Sequence, residues 1–351
     1  MVQSLHPDEF LKTSGAILDV RSPGEYTQGH IPGAKSLPLL SDEERAKVGI
    51  CYKQNGRESA VELGFEIVGP KCASLITQAK ILAPDKTIRL YCWRGGMRSE
   101  SMAWLLEMAG FNVTVLKGGY KAFRGWGRSL FQIPQQIIIL AGMTGSGKTE
   151  ILNALAARGE QILDLEKLAN HRGSSYGGLG QPAQPTNEQF WNLITIHWAK
   201  LNRQKPVWIE AESKGIGICR IPQEIVEQMM RSRSVAGAVS PVVEITRSRE
   251  ERVQLLVEIY GNAATEELVR ATKRIQKRLG GVRTQQAIEL IQQGNLAAAC
   301  HIILDYYDKT YRYDLNKRHV EIHRINLSGL SVDEGAAIVA NFSKRRSIER
   351  P

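Results

Sequence analysis

The chain has 351 residues and 42% hydrophobic content, which provides for packed cores, argues against wholesale disorder and favours two domains of ordinary size. Its formal net charge is +10: residues 1–130 carry 17 basic and 13 acidic side chains and the remainder 29 and 23, so both parts are mildly basic and neither has a basic tail, a balance that suits a polyanionic partner such as RNA. Five cysteines (Cys51, Cys72, Cys92, Cys219, Cys300) without paired spacing, a start (MVQSLHPDEF) without signal-peptide regions and apolar runs no longer than QIIILAG lead us to expect a cytoplasmic protein with no disulfide scaffold, structural zinc site or membrane segment.

The first domain is expected over residues 1–128. AILDV (16–20) reads as a short apolar strand closed by Arg21-Ser-Pro-Gly24, TIRLYC (87–92) as a second strand, SESMAWLLEMAG (99–110) as an amphipathic helix stopped by Gly110, and NVTVLKGG (112–119) as a third strand. Strands separated by helices imply a parallel α/β sheet. Cys92 closes the second strand just before the helix, so backbone N–H groups and the positive end of a helix dipole point at its sulfur. Arg94 and Arg98 add positive charge, and Gly95 and Gly96 let the backbone curl around an anion. Together they favour a thiolate, or an anionic persulfide or perselenide, and make Cys92, Arg94 and Arg98 the candidate catalytic residues. Two arginines and two glycines within six residues argue against an inert cysteine at a strand end.

Arg124-Gly-Trp-Gly-Arg-Ser-Leu-Phe-Gln-Ile-Pro134 breaks the alternation and reads as a linker into a second α/β domain over residues 129–351. There QQIIILAG (135–142) is a strand, TEILNALAARG (149–159) a helix with a glycine stop, and QILDLE (161–166) and PVWIEAES (206–213) further strands. Between the first strand and helix, Gly142-Met-Thr144-Gly145-Ser146-Gly147-Lys148-Thr149 fits the phosphate-loop pattern G-x-x-x-x-G-K-[ST] with both flanks correct. Its N–H groups are expected to wrap a diphosphate, with Lys148 as a point charge and Thr149 on Mg²⁺. Glu212 and Asp164, at strand ends, are the expected carboxylate partners of the metal, whereas Glu210 reads as a strand residue pairing locally. The Gly-rich segment His171–Gly178 reads equally as a surface loop or as a lid over the phosphate site, with His171, Arg172 and Ser174 as candidate substrate contacts.

After residue 245 the pattern turns helical, over about 246–312. Between Val269 and Gln286 six basic residues and no acidic one occur, Arg270, Lys273, Arg274, Lys277, Arg278 and Arg283, and their 3–4 spacing puts most of them on one broad helical face. That face is either simply solvated or an RNA-backbone contact, and the missing acids favour RNA. Arg247, Arg249 and Arg252 form a second basic group able to clamp phosphates. HVEIHRINLSG (319–329) alternates as a strand, so His319 and His323 read as ordinary residues rather than a metal pair, and a helix follows from about Val332 to Lys344.

Leu18-Asp19-Val-Arg21-Ser-Pro-Gly-Glu25-Tyr26-Thr-Gln-Gly29-His30-Ile-Pro-Gly33-Ala34 resembles the N-terminal signature of rhodanese domains, with Asp19, Arg21 and His30 as structural members and Cys92 in the place of the sulfur-carrying cysteine. Five residues separate Cys92 from Arg98 where many single-domain rhodaneses have four; this is the spacing of tyrosine and dual-specificity phosphatases, and it fits a phosphate-bearing donor. A rhodanese domain fused to a phosphate-loop domain, with LDLE…HRGS and VWIEAES, resembles the tRNA 2-selenouridine synthase family over nearly the whole chain. The resemblance implies a selenotransferase and geranyltransferase: sulfur of 2-thiouridine at the tRNA wobble position is exchanged for selenium from selenophosphate, through an S-geranyl intermediate made from geranyl diphosphate. It also admits a selenophosphate-producing enzyme as a partner. No Asp-Asp-x-x-Asp motif of ordinary prenyltransferases is present, so the diphosphate needs another clamp. Three other readings stand beside it: an ATP-dependent RNA thiolase or kinase, a phosphatase built on Cys92 and Arg98, and a non-enzymatic RNA-binding or persulfide-relay adaptor, which would tolerate loss of Lys148.

Overall fold

The computed structural model describes residues 2–212, 214–230, 241–316 and 322–348. It divides into two compact units, Met1–Leu130 and Phe131–Pro351.

The first unit is built on five strands, β1 (Gln3–Leu5), β2 (Ala16–Asp19), β3 (Lys35–Ser36), β4 (Thr87–Tyr91) and β5 (Asn112–Leu116). They lie in the order β1-β5-β4-β2-β3, and every pairing is parallel. Leu18 on β2 and Ile88 and Leu90 on β4 are completely buried, as expected where helices cover both faces of a parallel sheet. Met102, Ala103 and Leu106 pack onto them from the helix Met97–Met108. The helix Asp42–Val68 was not foreshadowed by any apolar periodicity: only Ala60 on it is buried, and Gly56 interrupts it at φ 87°.

The expected linker at 124–134 is instead mostly helix. Gly119–Gln132 forms one continuous helix on which Tyr120, Phe123, Gly127 and Phe131 are buried. These recur every three or four residues, so a buried stripe overrides the helix-breaking tendency of Gly125 and Gly127.

The second unit has β6 (Ile137–Ala141), β7 (Gln161–Leu163), β8 (Val207–Glu210), a two-residue hairpin of β9 (Gly215–Ile216) and β10 (Cys219–Arg220), then β11 (Val242–Thr246) and β12 (Ile322–Asn326). The main sheet runs β12-β11-β6-β8-β7, again parallel throughout. The helices Lys148–Ala157 and Val332–Ile348 pack Ile151, Leu152, Leu155, Ala336 and Val339 onto Leu140, Trp208 and Val243. QILDLE is strand only to Leu163; Asp164 then caps the short helix Leu165–Leu168.

The helical region forms a separate core in which Leu268, Ala271, Ile291, Ala299 and Ile303 meet Tyr176 and Leu179 of the Gly-rich segment. The basic run does not lie on a single helix. Thr265–Arg274 ends at Ile275, Gln276–Leu279 ends at Gly280 with φ +93°, and Gly281–Gln292 carries Arg283. His319 lies outside the described residues, while His323 sits in β12 with its ring 4.6 Å from that of Phe342. No helix among the described residues is long and apolar enough to cross a membrane.

Candidate active site: a cysteine cradle and a phosphate loop

In the first unit Cys92 follows β4 directly and is 3% exposed. Its Sγ lies 3.2 Å from Ser99 Oγ and 3.8 Å from the Gly96 carbonyl, and Ser99 Oγ donates to the same carbonyl at 2.9 Å. The cradle is tight because glycine permits it. Gly95 sits at φ +68°, where a Cβ would come within 2.8 Å of the Leu116 carbonyl. Gly119, at φ +60°, would bring a Cβ within 2.4 Å of the Cys92 carbonyl. That carbonyl accepts from Tyr120 N–H at 2.8 Å, fixing the strand end against the next helix.

Arg98 does not stand free over the sulfur: it forms an ion pair with Glu25 at 2.7 Å, and Arg45 reaches the same carboxylate at 3.1 Å. Burial pushes the Glu25 carboxyl up, but Arg98, the Ser22 N–H and Arg45 outweigh it and hold Glu25 below the usual carboxylate range. Arg94 is exposed. The rest of the signature is scaffold. Arg21, 1% exposed, grips Asp19 and the Gly29 carbonyl, both at 2.6 Å, with its guanidinium 3.9 Å from the centre of the Tyr120 ring. His30 stacks on Tyr26 at 3.9 Å.

In the second unit the phosphate loop joins β6 to the helix Lys148–Ala157 at the carboxyl edge of a parallel sheet, where anion sites of this architecture form. Gly145 and Gly147 take φ +78° and +82°, so the loop curls in a way side-chain-bearing residues resist. Lys148 Nζ donates to the Gly142 carbonyl at 2.9 Å, and Ser146 Oγ is buried with no hydrogen-bond partner. Thr144 offers its carbonyl to Arg252 Nε at 2.9 Å.

The carboxylates that hydrogen-bond Thr149 Oγ1 are Glu210, at 3.1 Å, and Glu166, at 3.4 Å. This corrects the expectation for Glu210: the β6–β8 ladder pairs Leu140 with Glu210 and sets that side chain beside the strand feeding the loop. Asp164 spends one oxygen on the Lys167 N–H at 2.8 Å as a helix cap, and its other oxygen is buried without a partner. Glu212 hydrogen-bonds Glu166 and faces Gly173. Burial, and then the like charge of neighbouring carboxylates, pushes Glu166 and Glu210 well above the ordinary carboxylate range, and burial also raises Asp164. Glu210 Oε2 has no partner. Among the described residues no group of three or more His, Cys, Asp or Glu side chains is arranged as a metal cage. What converges beside the loop is a partial set of oxygen donors, one hydroxyl and two carboxyls.

The segment 171–178 is packed over these acids. A Cβ on Gly173, at φ +68°, would come within 2.5 Å of Glu166 Oε1 and 3.0 Å of Glu212 Oε1. The His171 N–H donates to the Glu166 carbonyl at 3.0 Å, and its Nδ1 is buried and unpartnered. Burial, with the charge of Arg274, lowers the His171 pKa. Arg172 donates to the Leu179 carbonyl at 3.1 Å, and Ser174 Oγ accepts from Tyr176 N–H at 3.1 Å.

The second basic group is not a free phosphate clamp. Arg252, buried, pairs with Asp308; Arg249 pairs with Asp305; Arg247 donates to the Leu330 carbonyl at 3.0 Å. All six residues of the basic run are exposed. Acids just outside the run answer two of them: Glu267, one turn before Arg270 on the same helix, lies 4.0 Å from it, and Asp305, from a later helix, lies 3.7 Å from Arg283, while Arg278 donates to Tyr306 OH at 3.1 Å. Glu25, Ser99 and Glu166 escaped sequence reasoning. Only Glu166 left a signal, as the acid closing LDLE just after a strand.

Comparison with known proteins gives a consistent result. Residues 135–332 match the family described as "tRNA 2-selenouridine synthase AAA domain", and residues 6–125 match "Rhodanese-like domain". A tRNA 2-selenouridine synthase of Marinobacter nauticus is 34% identical, covering 87% of this chain and 90% of the relative. One from Pseudomonas putida is 32% identical over 95% of each chain, and one from Bordetella bronchiseptica 35% identical over 89% of this chain and 91% of its own.

Proposed function

As the chain belongs to the tRNA 2-selenouridine synthase family, we propose that it exchanges sulfur for selenium at C2 of wobble-position 2-thiouridine in tRNA, with selenophosphate as donor and an S-geranyl intermediate made from geranyl diphosphate. In the first step the thiouridine sulfur bonds to C1 of the geranyl group as the C1–O bond breaks. The electron pair leaves on diphosphate, and the N3 proton goes to solvent. The N–H groups of the 142–148 loop, the N-terminus of the helix Lys148–Ala157 and the Lys148 ammonium oppose the charge that develops on the leaving group.

Mg²⁺ fits beside this loop, because Thr149, Glu210 and Glu166 converge there and Glu210 keeps an oxygen without a partner. When bound it neutralises diphosphate charge. Burial and the neighbouring like charge raise both carboxyls, so a cation there would relieve the cost of ionising them.

In the second step selenium of selenophosphate bonds to C2, geranyl thiolate leaves and takes a proton, and water cleaves the Se–P bond to release phosphate. Alkylation makes this exchange feasible by turning a thiocarbonyl into a thioether that can depart as a thiol. The Cys92 cradle, with Ser99 Oγ 3.2 Å from the sulfur, is assigned to the selenium donor. The observation that carries the reading is the presence, in one chain of this family, of that sheltered cysteine and a phosphate loop whose Thr149 faces two buried carboxyls. The test incubates the pure protein with 2-thiouridine-containing tRNA, geranyl diphosphate, Mg²⁺ and selenophosphate, and analyses the digested nucleosides by mass spectrometry. A selenium-for-sulfur mass shift is expected, with a geranylated thiouridine when selenophosphate is omitted; unchanged nucleosides from tRNA that is demonstrably bound would sink the reading.

A further inference from the structure

Ser99 is a second buried polar group beside Cys92, and the loop gives its hydroxyl proton two acceptors. The residue is completely buried in the first turn of the helix Met97–Met108, and Cys92 is 3% exposed, so bulk water does not compete for either side chain. Among the described residues two polar atoms meet the Cys92 sulfur, Ser99 Oγ at 3.2 Å and the Gly96 carbonyl at 3.8 Å. Ser99 Oγ also lies 2.9 Å from that carbonyl.

Three observations favour the sulfur as the acceptor once Cys92 has ionised. First, the Gly96 carbonyl is satisfied without the hydroxyl. The N–H groups of Ser99 and Glu100 donate to it at 2.9 and 3.1 Å, and an amide oxygen has two lone pairs, so turning the hydroxyl away orphans nothing. Second, the cations of the loop are engaged or outside: Arg98 pairs with Glu25, which Arg45 also meets, and Arg94 is exposed. Third, neighbouring backbone donors are spent elsewhere, Tyr120 N–H on the Cys92 carbonyl at 2.8 Å and Lys121 N–H on the Trp93 carbonyl at 2.9 Å. A buried anion without a donor is costly, and a hydrogen bond to a charged acceptor is stronger than one to a neutral carbonyl.

We propose that Ser99 is a catalytic residue of the Cys92 site: its hydroxyl turns from the Gly96 carbonyl to the sulfur and holds Cys92 as a thiolate. In the resting thiol, Ser99 donates to the carbonyl and the Cys92 S–H donates to Ser99 Oγ. On ionisation the electron pair stays on sulfur, the thiol proton goes to water, and Ser99 keeps its own proton and redirects it. No other bond forms or breaks. The inference rests on the selenation reading above for the use made of the thiolate; the ionisation itself is independent of it. A serine that only bonds back to the carbonyl three residues earlier, as first-turn serines commonly do, would leave that ionisation unchanged.

The test follows the ultraviolet band of thiolate against pH in the full-length protein. Each protein is paired with the same protein carrying Cys92→Ala, so that the difference reports Cys92 alone. Ser99→Ala is expected to lower the ionisation constant of Cys92 about tenfold, moving thiolate formation up by about one pH unit, the scale of one hydrogen bond to a charged group. Ser99→Thr and Ser99→Val have the same shape and differ in the hydroxyl. The Thr variant should follow the wild type and the Val variant should follow Ser99→Ala, which separates the hydroxyl from packing and decides the matter if Ser99→Ala does not fold. Coincident curves for wild type and Ser99→Ala, or for the Thr and Val variants, would overturn the proposal. Selenation of geranylated thiouridine tRNA at neutral pH should fall severalfold in the Ala and Val variants and be restored by Thr. A displaced thiolate curve with undiminished selenation would overturn the catalytic role. A wild type that carries out no selenation, with the thiolate curve still displaced by Ser99→Ala, would remove the selenation reading and leave the Ser99–Cys92 hydrogen bond standing.

Discussion

Ser99 and Gly96 surround the Cys92 sulfur with a hydroxyl and a carbonyl, while the nearby Arg98 is held by Glu25. On the proposed division of labour, Cys92→Ala is expected to abolish selenation while leaving geranylation in place, because the proposed transfer step is assigned to the other unit's loop. Nucleoside mass spectrometry checks this, and equal loss of both products would refute the division of labour. Glu25 contributes through its charge. Its folded pKa is depressed, so the stabilisation is complete above the ordinary carboxylate range and fades as pH falls through the lower folded value. Glu25→Gln should cost about 1.5–3 kcal/mol at a neutral pH, the scale of a charged hydrogen bond, and less at a second, acid pH low enough to protonate the folded-state carboxylate. Urea unfolding at both pH values measures it; an undiminished cost in acid would mean that charge is not the cause. Glu210→Ala should lower Mg²⁺-dependent diphosphate binding by roughly tenfold or more, as loss of one of few oxygen ligands does, and leave Mg²⁺-free binding little changed in calorimetric titration.

At the scale of elements, the strands β2, β4, β5, β6 and β8 were legible because parallel strands covered on both faces read as short apolar runs. β1, β3 and the long helix Asp42–Val68 were not: the strands have three and two residues, and the helix buries too little to write a periodic pattern. The phosphate loop was read from its own residues, whereas its acids were not. Glu210 and Glu212 lie two apart, and period-two alternation alone does not choose between them; the pairing of Leu140 with Glu210 across the sheet does. The basic run was misread as one face because Ile275 and Gly280 interrupt it, and because its counter-charge Asp305 comes from a helix further along the chain. If the run meets tRNA, Lys273→Glu and Lys277→Glu should weaken binding and each reduce the log K against log salt slope by about one. Binding measured across a salt series decides; an unchanged slope would mark a merely solvated face.

For the whole molecule, a ligand that binds only the native state of the second unit stabilises that unit by mass action. Geranyl diphosphate with Mg²⁺ at about a hundredfold over its Kd should add ~2.7 kcal/mol. Scanning calorimetry should show an upward shift of the transition belonging to Phe131–Pro351. The ladder linking β6 to β8 has a wider meaning. Backbone hydrogen bonds between two central strands set the spacing between the phosphate loop and its acid, much as the frame of a vice sets the gap between its jaws. The surface of this unit can therefore vary in sequence without detuning the grip. A single residue inserted or deleted within Val207–Glu210 would turn the glutamate to the opposite side of the sheet and silence the site while most of the composition stayed the same.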